Sequence, residues 1–110
     1  MPSLRERKRY LAFEIISKQP VNNPRAIKDA IFNTALQYLG ELGCAEAGLI
    51  FIDKFNTSNQ RGLIRVSHKS LDRLRATLAL VQQIEGQEVI VRSIGASGIL
   101  KKADDRYIAG

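Results

Sequence analysis

The stretch YLAFEII (residues 10–16) decides how the fold begins, because apolar side chains recur at every second position along it. Leu11, Phe13 and Ile15 would occupy one side of an extended chain, whereas the residues between them are small, polar or amphipathic. This alternation is typical of a β-strand with one buried face. Pro20 then predicts a turn.

A long amphipathic helix is predicted after this turn. Asn23 is a favourable N-cap residue, and Pro24 suits the first helical position, where no N–H donor is needed. Apolar residues then recur at helical spacing, and Gly43 is the expected C-terminal stop. Phe32 and Leu36 widen the apolar stripe, so they belong either to the core or to a surface that contacts a protein partner.

The middle of the chain predicts a hairpin followed by a second helix. Residues 48–53 and 62–66 are rich in branched and aromatic side chains, which favour strands. A second helical stripe continues as far as Ile84, and Gly86 is expected to end it.

Residues 87–94 supply a fourth strand, and the glycines of residues 95–98 predict a turn after it. The order β-α-β-β-α-β predicts an α+β domain with the ferredoxin-like split βαβ fold, which RNA-recognition domains also use. Two helices would cover one face of the sheet and leave the other to water or a partner.

The 110 residues fit a single domain, with residues 1–9 as a basic lead-in and residues 99–110 as a polar C-terminal tail. No apolar run approaches the roughly 18 residues of a membrane span, and no signal-peptide pattern follows the charged N-terminus. The single cysteine, Cys44, cannot form an internal disulfide. These features favour a cytoplasmic protein.

The charge balance predicts a polyanion as partner, since 17 lysines and arginines against 11 acidic residues give a net charge of +6. Lys69 and Arg73 are four residues apart on the predicted second helix, a like-charge arrangement that phosphates lying opposite would explain. A merely solvated surface is the alternative for any single residue. The clustered candidates for RNA binding are Arg7, Lys8, Arg9, Lys69, Arg73, Arg75, Lys101 and Lys102.

Base recognition on the third strand is not predicted. RNA-recognition domains carry an aromatic motif there, whereas RGLIRVSH (residues 61–68) keeps only the basic-glycine start. The topology is therefore RNA-recognition-like without aromatic RNP motifs. Because base stacking on this strand is unavailable, RNA would be bound mainly by charge and shape.

No catalytic constellation is evident. The only histidine, His68, and the only cysteine leave no zinc site and no obvious triad. An acylphosphatase would share the topology, but residues 18–23 do not supply a glycine-rich phosphate loop. A protein-interaction or ligand-sensing module, with Phe32 and Leu36 at its interface, remains the alternative to an RNA-binding protein.

Three segments together resemble a known family, the small protein subunit of archaeal and eukaryotic ribonuclease P, which is called ribonuclease P protein component 2 in archaea. They are RYLAFEI (9–15), GLIRV (62–66) with RATL (75–78), and residues 86–102. They span nearly the whole chain in the right order, and its short length resembles the archaeal members.

The resemblance implies a non-catalytic protein that binds the catalytic RNA of ribonuclease P and supports removal of the 5′ leader from precursor tRNA, as part of an endoribonuclease holoenzyme. It also implies a TIM-barrel-like protein partner, contact with precursor tRNA only indirectly, and a homodimer within a heterotetramer as one form of assembly. The protein would bind no cofactor, since Mg²⁺ at the cleavage site is held chiefly by RNA. Positions matching the family add Arg65 and Arg92 to the candidate RNA-binding residues.

Overall fold

The computed structural model describes residues 7–109 and shows a five-stranded antiparallel sheet with its two main helices on one face. The strands are β1 Lys8–Ser17, β2 Ile50–Phe51, β3 Arg61–Ser67, β4 Gln83–Ile84 and β5 Gln87–Ser97. The helices are α1 Pro24–Ala47, α2 Leu71–Ala79 and α3 Leu100–Ala103. The strand order across the sheet is β2-β3-β1-β5-β4. The predicted α+β class is confirmed, with β4 as an additional short strand.

The alternation at the start of the chain places β1 in the centre of the sheet. Leu11, Phe13 and Ile15 are buried in the core toward the helices, together with Ile31 of α1 and Leu74 of α2. The strand pairs with β3 on one side and with β5 on the other along most of its length. Side chains on β1 are therefore held on a strand that is hydrogen-bonded on both sides.

Helix α1 begins as predicted but ends later. The side-chain oxygen of Asn23 accepts a hydrogen bond from the backbone N–H of Ala26 at 3.3 Å. The stop predicted at Gly43 is wrong, because the helix is interrupted at Gly40 (φ 74°) and then continues to its left-handed cap at Gly48 (φ 58°). Both positive φ values lie where glycine is strongly favoured. The second strand is correspondingly shorter than predicted.

A hairpin replaces the last predicted turns of the second helix. Helix α2 ends at Ala79, and β4 pairs with β5 through Gln83–Glu88 and Ile84–Gln87. The two connecting residues, Glu85 (φ 53°) and Gly86 (φ 78°), both have positive φ. This is the two-residue turn whose twist matches that of antiparallel strands. The predicted helix to Ile84 is wrong because an apolar residue buried on a strand fits the same periodic pattern.

The C-terminal residues cover part of the sheet face opposite α1 and α2. Helix α3 continues into a π-helical turn, Asp104–Ile108, and we call the two together the C-terminal cover. Ala103 and Ile108 are buried against Ala12 and Leu63 of the sheet. The segment predicted as a polar tail therefore closes part of the face expected to meet water or a partner.

Hydrogen bonds from the segment between β2 and β3 hold the C-terminal cover in place. Asn56 and Asn59 both donate to the carbonyl oxygen of Ile108, at 2.7 and 3.0 Å. The Nη1 of Arg61 donates to the carbonyl oxygen of Tyr107 at 3.2 Å. The cover is thus attached by polar contacts as well as by its apolar residues.

Gly95 lies inside β5, so the prediction that it belongs to a turn is wrong. It pairs with Ala12 of β1, next to an irregularity in the register between the two strands. A Cβ atom at Gly95 would clash with the ring of Tyr107. The absence of a side chain is therefore what lets the ring of the C-terminal cover lie on the sheet.

Candidate nucleic-acid interface

The beginning of β1 and the end of β3 gather the first group of cations at one end of the sheet. Lys8 pairs with Ser67, and the N–H of His68 donates to the carbonyl oxygen of Arg7 at 2.7 Å. We call this group the basic end; its cations are Arg7, Lys8, Arg9 and Lys69, and His68 lies among them. The remainder of the predicted lead-in, residues 1–6, lies outside the described residues.

Arg9 is held in place by the only histidine of the chain. Its Nε donates to Nδ1 of His68 at 3.3 Å, which requires that ring nitrogen to be unprotonated. Nη1 of Arg9 also lies beside the turn after β5, where a Cβ on Gly98 would be 3.8 Å away. His68 therefore orients a cation, and the turn that leads into α3 adjoins the basic end.

Three predicted RNA-binding lysines are exposed and lie away from the acidic side chains of the described residues. Lys69 lies in the 3-10 turn His68–Ser70, and Lys101 and Lys102 lie on α3. Within residues 7–109, no carboxylate lies in ion-pair distance of any of the three. Their positive charge is therefore available to an external anion.

Arg73 and Arg75 lie on α2 and are both paired on the protein surface. Arg73 is 3.8 Å from Glu46 at the end of α1, and Arg75 is 3.0 Å from Asp72. The prediction that Lys69 and Arg73 share the second helix is wrong, because Lys69 lies in the 3-10 turn that precedes α2. Exposed pairs of this kind contribute little, so phosphates could still replace the acidic partners.

Arg92 is bound to Glu14 on the sheet face that carries the C-terminal cover. Nη2 of Arg92 lies 2.7 Å from the Glu14 carboxylate, and Nε of Arg61 lies 3.1 Å from its other oxygen. The hydrogen bond from Arg92 is the main cause that lowers the pKa of Glu14; partial burial opposes it, and Arg61 adds to the lowering. One carboxylate thus partly neutralises two arginines at this point of the sheet.

Arg65 is different, because its half-buried guanidinium has no acidic partner within the described part of the chain. It lies on β3 directly opposite Tyr10 of β1, with Ile50 of β2 on its other side. Its Nε is buried and makes no hydrogen bond. Sequence reasoning selected Arg65 by resemblance to the family alone and did not select Tyr10. The period-two alternation of β1 is the signal that places Tyr10 on the face opposite the core.

The two residues predicted to contact a protein partner differ in exposure. The ring of Phe32 packs on that of Phe51 with centroids 5.2 Å apart, and it is half-buried against the core. Leu36, one turn further along α1, is 46% exposed, and Leu42 on the same helix is 75% exposed. Phe32 therefore belongs largely to the core, whereas Leu36 is exposed.

The described residues contain no group of three histidine, cysteine or acidic side chains placed to hold a metal ion. Between residues 7 and 109, no helix is long and apolar enough to cross a membrane. Cys44 is a free, half-buried thiol packed against the core.

Comparison with known protein families gives a match over almost the whole chain. The model of the Rpp14/Pop5 family matches residues 9–108, which include nearly all of β1, the whole of β3 and the C-terminal cover. The chain belongs to the Rpp14/Pop5 family. The family predicted from the resemblance is therefore confirmed.

Several relatives of similar length are named Ribonuclease P protein component 2. The protein of Thermococcus gammatolerans is 39% identical over 108 residues, covering 98% of this chain and 88% of the relative. That of Pyrococcus furiosus is 38% identical with the same coverage. The Methanosarcina barkeri protein is 33% identical and is covered over 77% of its length.

A solved structure shares the fold. A chain in the cryo-EM structure of yeast Ribonuclease MRP superposes with a TM-score of 0.65, covering 89% of this chain and 78% of that one. The sequence identity of 16% limits this likeness to the fold.

Proposed function

We propose that this chain is a non-catalytic protein subunit of ribonuclease P, which binds the catalytic RNA and supports removal of the 5′ leader from precursor tRNA. The observation that carries the proposal is the near-complete match, over 98% of the chain, to proteins named Ribonuclease P protein component 2. The concentration of cations at the basic end supplies a chemistry that fits this role.

The physical contribution of such a subunit is to reduce repulsion between phosphates. RNA helices can approach one another only if their charge is neutralised, by metal ions or by protein cations. The RNA would hold the Mg²⁺ ions of the cleavage site, and this chain would lower the Mg²⁺ concentration that the active fold requires. The strand order β2-β3-β1-β5 supports a split βαβ core for this scaffold, with β4 added at its edge.

The same assembly would include a TIM-barrel-like protein subunit. The outer surface of α1 supports a protein contact, because Leu36 and Leu42 are exposed on a helix whose other side is in the core. The C-terminal end of α1 adjoins the basic end, because a Cβ on Gly48 would be 3.7 Å from Nζ of Lys8, so a protein partner on α1 would lie beside the bound RNA. We place this assembly in the cytoplasm and allow for a homodimer within it.

Reconstitution tests the proposal. Precursor-tRNA cleavage would be measured with ribonuclease P RNA and its other protein subunits, at low and at saturating Mg²⁺, with and without this chain. We expect the chain to raise the rate mainly at low Mg²⁺, because its cations substitute for part of the metal. A rate at low Mg²⁺ that does not change when the chain is added would overturn the proposal.

The alternative, a module that only binds protein, is favoured by the exposed apolar surface of α1. Light scattering with and without RNA separates the two. A stable oligomer that ignores RNA would favour the alternative, whereas an RNA-dependent increase in mass supports the ribonuclease P subunit.

A further inference from the structure

Arg65 and Tyr10 are neighbours on the sheet face that carries the C-terminal cover, and Tyr10 packs against the edge of that cover. They are direct cross-strand partners on β3 and β1, so their Cβ atoms are about 5 Å apart. Both side chains are half-buried, and the neighbouring Ile50 is 49% exposed. Leu63, two residues before Arg65 on the same strand face, is already under the C-terminal cover.

The guanidinium of Arg65 has hydrogen-bonding capacity that residues 7–109 do not use. Its buried Nε has no acceptor, and two residues further along the same strand face the buried Oγ of Ser67 also lacks a partner. Arg61 and Arg92, on the same sheet face, are both satisfied by Glu14. Unpaired buried donors are costly and uncommon, so such a group in a native fold calls for an external partner.

An RNA nucleotide has the groups that this site lacks. A guanidinium binds phosphate through two parallel N–H donors, in a geometry that a point charge cannot provide. An aromatic ring on the open face of a sheet stacks an RNA base, but only if that base is not already stacked within a helix. The adjacent basic end would hold the neighbouring phosphates of the same strand.

We propose that Tyr10 and Arg65 bind one unpaired RNA nucleotide, with its phosphate on the guanidinium and its base on the phenol ring. This inference rests on the proposed function, because it names the part of the RNA that the chain recognises. It adds a specific contact to binding by diffuse charge.

Titration of the full, ¹⁵N-labelled chain with RNA tests the site directly. The probes are octauridylate, which is single-stranded, and an RNA duplex of eight base pairs. We expect the Nε–H resonance of Arg65 to shift with octauridylate, while those of Arg61 and Arg92 do not. A stationary Arg65 resonance, no binding of octauridylate, or an equal shift with the duplex would each overturn the proposal.

Substitutions of Arg65 show whether RNA binding depends on the planar guanidinium group or only on its positive charge. We expect Arg65→Lys, which keeps the charge, and Arg65→Gln to weaken octauridylate binding at least fivefold. The control Arg25→Gln removes an equal charge from an exposed position at the start of α1, and we expect less than a twofold change. Arg65→Lys with wild-type affinity, or Arg65→Gln no weaker than the control, would overturn the site.

Thermal melting distinguishes a binding role from a structural one. Because Nε of Arg65 makes no hydrogen bond to the described residues, Arg65→Gln should leave the Tm unchanged or raise it while affinity falls. Tyr10→Phe should keep the affinity, and Tyr10→Leu should lose it about fivefold, as expected for a lost stacking contact of about 1 kcal/mol. A lower Tm for Arg65→Gln, or equal affinities of the two Tyr10 variants, would contradict the proposal. Failure here leaves the reconstitution result untouched, so the two proposals fail separately.

Discussion

Glu14 and Arg92 join the central strand to its neighbour through a carboxylate–guanidinium pair, with 2.7 Å between the closest atoms and 3.0 Å for the second hydrogen bond. The Glu14 side chain is only 16% exposed, whereas that of Arg92 is 59% exposed. A cation predicted to bind RNA is therefore already attached to the sheet. Arg92 has a structural role of its own, whatever RNA contacts it also makes.

Replacing Glu14 by Gln should make the stability of the protein less dependent on pH in the acidic range. The folded-state pKa of Glu14 is lowered, chiefly by the hydrogen bond from Arg92. The stabilisation is thus fully present above the ordinary value of 4.5 and is lost as the pH falls through the folded-state pKa. At pH 7 we expect Glu14→Gln to lower the free energy of unfolding by about 1–2 kcal/mol.

Urea unfolding from pH 7 down to pH 2.5 measures this difference. The curves of the wild type and Glu14→Gln should converge at the acidic end, where the carboxyl group is protonated. A difference that stays constant over this range would show that the ion pairs do not stabilise the fold. Asp72→Asn is the control, because the Asp72 side chain is 92% exposed in its pair with Arg75 and should have little effect.

The buried stripe of α2 should be sensitive to truncation. Leu74 is fully buried between the helix and the sheet, so Leu74→Ala should cost about 2–5 kcal/mol through lost burial and the cavity that remains. Leu42→Ala is the matched control, because Leu42 is 75% exposed and should change stability by less than about 0.5 kcal/mol. Chemical denaturation gives both values, and similar costs for the two variants would contradict the assigned core.

Gly95 should be required for attachment of the C-terminal cover. In Gly95→Ala the new methyl group would meet the ring of Tyr107, and overpacking of this kind costs about 1–3 kcal/mol. We expect faster tryptic cleavage after Lys101, Lys102 and Arg106. Tyr107→Ser removes the ring and should relieve the clash in the Gly95→Ala protein. We therefore expect Tyr107→Ser to destabilise the Gly95→Ala protein less than it destabilises the wild type.

Gly98→Ala is the control for this experiment, since its nearest neighbour would be 3.8 Å away, in ordinary contact. Additive effects of Gly95→Ala and Tyr107→Ser would mean that the ring does not lie against residue 95. Unchanged proteolysis in Gly95→Ala would mean that the cover is not held there.

The sequence predicts the secondary structure correctly where the local pattern and the tertiary packing favour the same element. The alternation of β1 and the Asn23–Pro24 cap each have one physical interpretation, and both are found in the structure. The pattern predicts a helix at Ile84 because a buried residue at that spacing fits a helical repeat. The same burial is found on the strand where Ile84 actually lies. Only the backbone conformation of Glu85 and Gly86, which a sequence does not display, separates the two.

The sequence predicts which cations cluster at the candidate site, but it does not predict which of them form ion pairs. Clustering identified the cations of the basic end, which the β1–β3 register brings together. It could not distinguish Arg92, which is paired with Glu14, from Arg65, which has no partner in the described residues, because that depends on which strands are neighbours. The C-terminal cover is not predicted from the sequence, because Ala103, Tyr107 and Ile108 are few apolar residues in a segment that is otherwise polar.

RNA binding by the basic end should depend steeply on salt. If about five phosphates are neutralised, the logarithm of the association constant should fall with the logarithm of salt concentration at a slope of about −4. Lys69→Gln should reduce the magnitude of the slope by about 1, because Lys69 is exposed and has no acidic partner in the described chain. Lys18→Gln is the matched control: Lys18 is an exposed lysine just past the far end of β1, roughly 30 Å from Lys8. Filter binding to ribonuclease P RNA from 50 to 500 mM KCl, a range of about one decade, measures all three slopes. An affinity insensitive to salt, or equal slope changes in the two variants, would show that the basic end does not contact the phosphates.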